Sequence, residues 1–185
     1  MIEYNIFRHA GDSFTYDDEI VLAASSSTTI GMLDGSKLGN DLDKNRTVFR
    51  SIIETAGFEE IATPEHRFEF ASEQTECQMP SDSEYMILEI DGNSVESVRH
   101  GGVMAKIVMS GEMRMLPNGR FGLTTGDRIV CATSNFYRKL TDEAILADAL
   151  MAENCSEWMN FMIRRISDSC ELKCGNLSAV TLIVR

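Results

Sequence analysis

The chain has 185 residues, 43% of them hydrophobic, and a formal net charge of -12 at pH 7. That length and apolar content predict one domain, residues 1–185, around one sizeable core. An acidic chain with a pI near 4.6 repels phosphate backbones and anionic lipid, which excludes nucleic-acid and membrane-surface roles and favours basic partners or cations.

The first two strands are predicted at EYNIFRHA (3–10) and EIVLAAS (19–25), and TTIGML (28–33) adds a third that stops at the turn signal Asp34-Gly35. DLDKNRTVFRSIIETAGF (41–58) reads as a helix with Val48, Phe49, Ile52, Ile53 and Ala56 on one stripe. The polar, acidic stretch 72–84, with Pro80, reads as a loop. YMILEI and SVESVRH, joined by Asp91-Gly92-Asn93, form a hairpin. MAKIVM, EMRML, DRIVCATS (127–134) and AVTLIVR add four strands. Helices follow at 141–153 and 156–168, with Trp158, Met159, Met162 and Ile166 on one face of the second. Met151, Met159 and Met162 are expected in the core. The total is eight or nine strands and three helices. Strands come in runs, so the class is α+β with largely antiparallel sheets.

The cysteine count is odd (Cys77, Cys131, Cys155, Cys170 and Cys174), which predicts reduced thiols and a cytoplasmic location. Cys170 and Cys174 form C-x3-C without a second metal-binding pair, so zinc is not expected. No apolar run approaches the ~18 residues of a membrane span, and MIEYNIFRHAGD lacks the pattern of a signal peptide. Phosphate-loop, dinucleotide, nucleophile-elbow and zinc-protease motifs are absent. His9, His66 and His100 are scattered and read as surface or satisfied polar groups.

Five strand-end segments remain: RHAGDSF, MLDGSKLGN, RHGGVMA, ATSNFY and CGNLSAVTLIVR. Each alone is explained as a turn. In this order and spacing they resemble the PP2C-like (PPM) metal-dependent protein phosphatases, in particular the compact bacterial members of the sporulation and stress-response type. The resemblance covers nearly the whole chain. It implies an α-β-β-α sandwich of two mostly antiparallel sheets flanked by helices. It also implies phosphoester hydrolysis by a water activated between two Mg2+ or Mn2+ ions.

Carried over position by position, the resemblance makes Arg8 the phosphate-binding arginine, Asp12 the first acidic ligand and Asp34 the bridging aspartate, with Gly35 offering its carbonyl. Three acidic positions of the family pattern are filled otherwise, by Gly102, Ser134 and Gly175. Two of four core carboxylates are therefore missing, and so is the accessory one at 102. Two divalent ions about 4 Å apart repel by roughly 17 kcal/mol at an effective dielectric near 20. Two carboxylates leave about half of that +4 charge uncompensated. Asp17, Asp18 and Asp91 are placed by pattern away from the site, and Asp127 reads as a structural turn residue. The expectation is at most one Mg2+ or Mn2+ ion on Asp12 and Asp34, with no ion an equal alternative. The function expected is that of a catalytically impaired phosphatase-fold protein that binds a phosphoprotein or regulatory protein partner. The alternative is an active Mg2+- or Mn2+-dependent Ser/Thr phosphatase with a reduced site.

Overall fold

The computed structural model describes residues 1–58, 63–168 and 175–185. Cys170 and Cys174 lie outside the described residues. These hold ten strands and five α-helices in two compact units.

The mid-chain unit comprises Asp17–Val103 and Pro117–Leu123. Its sheet runs β2 (Glu19–Ala24), β3 (Thr28–Asp34), β4 (Glu84–Asp91), β5 (Ser94–His100) and β8 (Gly119–Gly122) in that order, all neighbours antiparallel. Helix α1 (Leu42–Gly57) buries Phe49, Ile52, Ile53 and Ala56, the stripe expected from periodicity, against Val21, Leu33 and Ile87.

Helix α2 (Pro64–Gln78) corrects the expected loop at 72–84. Thr63 caps it by accepting from the His66 amide, and Pro64 sits at its first position. Its inward positions are Arg67, Phe68, Ala71 and Thr75. They fall at helical spacing, but two are polar, so no apolar stripe marked the helix. Strand β8 was also missed, being four residues bounded by glycines.

Arg67 is buried beneath this helix because it has partners: its guanidinium donates to Ser27 Oγ at 2.8 Å and Ser25 Oγ at 2.5 Å. Ser27 and Thr29 in turn donate to the buried Glu89 carboxylate. Burial pushes the Glu89 pKa up, against the hydroxyl hydrogen bonds and the Arg67 charge, which pull it down. The folded state thus holds this proton more tightly than the unfolded chain. The resulting stabilisation is complete below about pH 4.5 and fades as pH rises through the raised value. Stability of the parent relative to Glu89→Gln should therefore fall across that window in urea unfolding series. A difference independent of pH would refute this assignment.

The terminal unit comprises Met1–Tyr16, Met104–Leu116 and Thr124–Arg185. Its antiparallel sheet runs β1 (Ile2–His9), β10 (Leu177–Val184), β9 (Arg128–Ala132), β6 (Met104–Met109) and β7 (Glu112–Met115). Helices α3 (Ser134–Tyr137), α4 (Asp142–Met151) and α5 (Cys155–Asp168) belong to the same unit. Thr141 caps α4 by accepting from Ala144 N.

Trp158, Met159 and Met162 are buried with Ile145 and Ala149, as the α5 pattern predicted. Met151 is instead exposed, since α4 ends there and its side chain falls outside the packed stripe. The strand expected to reach Ser134 ends at Ala132, because Thr133 turns the chain into α3. Cys131 and Cys155 are buried, with their thiol pKa values pushed up to about 12, chiefly by desolvation, so neither is a ready nucleophile. No described helix is long and apolar enough to cross a membrane.

Candidate functional site

In the mid-chain unit the site begins at the end of β3. Antiparallel register places Asp34 opposite Glu84, the first residue of β4. Asp34 is buried, and its Oδ1 accepts from Ser36 N at 2.9 Å, capping the short 3-10 turn Gly35–Lys37. The backbone here is tightly confined. A Cβ on Gly35 would lie 2.1 Å from the Asp17 carbonyl oxygen. The buried Asp18 carboxylate accepts from Gly35 N at 3.1 Å. The expectation that Asp18 lies away from the Asp-Gly turn is therefore corrected: the chain entering β2 runs alongside it.

Glu84 is the further acid that sequence reasoning missed. Its Oε2 accepts from Gly102 N at 2.9 Å, and its Oε1 forms an ion pair with Lys37 Nζ. Gly101, at φ 71°, gives the Glu84 stem its seat, since a Cβ there would meet Glu84 Cγ at 2.4 Å. The Gly101-Gly102 pair thus holds a neighbouring carboxylate in place rather than supplying one. Nothing in the sequence marks Glu84 until β3 and β4 are aligned. Lys37 could have been noticed, three residues beyond Asp34.

In the terminal unit, Arg8 lies on β1 opposite Ser178 of β10 and is exposed. Asp12 sits in an exposed turn beyond β1. Gly11, at φ 65°, donates its N–H to His9 Nδ1 at 2.9 Å in that turn. Ser134 opens α3 and is half-buried. The loop at 133–135 is tied to the start of β10: Thr133 N donates to Ser178 O at 3.1 Å, and Ser178 N to Thr133 Oγ1 at 3.4 Å. A Cβ on Gly175 would lie 2.8 Å from Asn135 Nδ2. The Ser134 and Gly175 segments are therefore neighbours, and neither position carries a carboxylate. Tyr137 fixes the far side of α3, donating its hydroxyl proton to Val130 O at 2.7 Å. Asp127 is the turn residue expected, its Oδ2 accepting from Thr124 N at 2.7 Å.

The three histidines have ordinary settings. His9 and His66 are exposed. His100 bonds Ser83 O through Nδ1 at 2.6 Å and stacks on Tyr85.

Among the described residues no group of three or more Asp, Glu, His or Cys is placed to hold a metal ion. Among the described residues the Asp34–Glu84 pair does not by itself offer the donors of a two-metal centre. Hard divalent ions need several free oxygen ligands. Here both Glu84 oxygens and one Asp34 oxygen already accept hydrogen bonds.

No family model and no curated protein sequence matches the chain. Solved structures do. A bacterial serine phosphatase superposes with TM-score 0.83 at 9% identity, over 100% of this chain and 99% of that one. The catalytic domain of the serine/threonine protein phosphatase PstP, in complex with two manganese ions, gives TM-score 0.70 at 12% identity, over 98% and 97%. RsbX in complex with magnesium gives 0.75 at 13% identity, over 98% and 94%. With its two antiparallel sheets and their helices, the chain has the fold of the PP2C-like (PPM) protein phosphatases.

Proposed function

We propose that this chain is a phosphatase-fold protein that has lost two-metal catalysis and acts by binding a protein partner, phosphorylated or regulatory. The observation that carries the reading is the loop pair in the terminal unit. Thr133 is tied to Ser178 there, and by the sequence resemblance Ser134 and Gly175 fall where the family pattern has metal-holding acids. Hydrolysis in this family needs a nucleophile generated between two ions, and among the described residues no group of three or more Asp, Glu, His or Cys is placed to hold one. Asp34, with Gly35 beside it, is the ligand position the mid-chain unit retains, and the reading allows at most one Mg2+ or Mn2+ ion, with none an equal alternative. Arg8 and Asp12 keep the residue types expected for phosphate and metal binding.

Several observations support the wider reading. The matched structures extend over essentially the whole chain, which favours residues 1–185 as one domain. Some matches are regulatory by their own description, among them a stressosome protein and PppA, a regulatory component of a secretion system. They support a signalling role with a protein partner. The free thiols of Cys77, Cys131 and Cys155 suit a cytoplasmic location.

The direct test is hydrolysis of p-nitrophenyl phosphate in millimolar Mn2+. The expected rate equals that of buffer with Mn2+ alone. Mn2+-dependent turnover that disappears in Asp34→Asn would instead establish the alternative, an active Ser/Thr phosphatase with a reduced site. That alternative is favoured only by the retention of Arg8, Asp12 and Asp34.

A further inference from the structure

A cation is already present at the acidic edge of the mid-chain unit, and it belongs to the protein. Lys37 follows Asp34 by three residues, and the 3-10 turn between them folds its side chain back onto Glu84. Glu84 is the residue directly opposite Asp34. Its side chain is only 12% exposed, whereas that of Lys37 is 57% exposed. The carboxylate is therefore the fixed partner, and the ammonium reaches in from solvent. Each Glu84 oxygen thus has a partner, since the other accepts from Gly102 N. Glu84 and, more weakly, Asp34 both hold the Lys37 ammonium in its charged form.

We propose that Lys37 is a tethered cation that replaces a divalent ion at the Asp34–Glu84 edge. Its ammonium supplies the positive charge these two carboxylates need and repels an incoming Mg2+ or Mn2+. The inference deepens the reading above and rests on it: the fold keeps acids at this edge while dispensing with the metal. A pair whose ammonium is more than half exposed contributes little to stability, so charge placement is what the contact offers here. An ion approaching Glu84 must displace Lys37 and then share the edge with it.

The test is Mn2+ titration by calorimetry on the parent, Lys37→Met, and Lys37→Met combined with Glu84→Gln. Methionine keeps the stem length and removes the charge, and the exposed position predicts an unchanged thermal midpoint. Lys37→Met should bind Mn2+ at least about tenfold more tightly than the parent. The double variant should lose that gain, and Lys37→Arg should behave like the parent. Equal Mn2+ affinity in the parent and Lys37→Met would overturn the proposal, as would a gain that survives Glu84→Gln. These outcomes are separate from the fate of the non-catalytic reading, which hydrolysis by the parent decides.

Discussion

Gly35→Ala should cost about 3 kcal/mol or more, as much as a severe core substitution. The new methyl carbon would sit 2.1 Å from the Asp17 carbonyl oxygen and 2.5 Å from its carbon. Both are backbone atoms, so no side-chain rotation relieves the clash. The backbone must move on one side or the other. Moving Asp17 disturbs Asp18, whose carboxylate accepts from Gly35 N, and moving Gly35 disturbs the Asp34 cap. Urea unfolding followed by circular dichroism measures the loss. Asp34→Asn provides the contrast. An asparagine side-chain oxygen can still accept from Ser36 N, so that change should cost much less. A Gly35→Ala variant as stable as the parent would show that the close approach is not required.

Ser134→Asp combined with Gly175→Asp should convert the terminal unit toward metal binding. Gly175 is not among the positive-φ glycines, so an aspartate suits its backbone. The obstacle is the Asn135 amide, 2.8 Å from the new Cβ, which is the end of a side chain and can swing away. The two added carboxylates would lie on loops already tied together through Thr133 and Ser178. Added negative charge on a fixed scaffold raises affinity for hard cations. The double variant should bind one more Mn2+ than the parent at millimolar concentration, measured by equilibrium dialysis with metal analysis. No additional ion would show that the loops have lost more than their acids.

Particular residues show what the sequence could and could not disclose. The α1 stripe, the β4–β5 hairpin around Gly92-Asn93 and the α5 face were legible, because apolar periodicity set them. Helix α2 was hidden, since Arg67 and Thr75 occupy inward positions and only tertiary partners such as Ser25 and Ser27 make a buried arginine tolerable. At the site, Asp34 was visible from its Asp-Gly turn. Glu84 was not, because it is defined by register with β3, and register is a property of pairing across 49 residues of intervening chain. Asp18 was misplaced for the same reason: the close passage of residues 17–18 past Gly35 is a tertiary contact with no local signature. Ser134 and Gly175 were legible only through a resemblance, as departures from a pattern.

The number of divalent ions the unaltered protein holds distinguishes a lost two-metal centre from a retained one. Saturating Mn2+ titration of the parent, with metal quantified per chain, should give at most one ion. Two ions per chain would contradict the central claim that this fold has kept its scaffold and lost its two-metal centre.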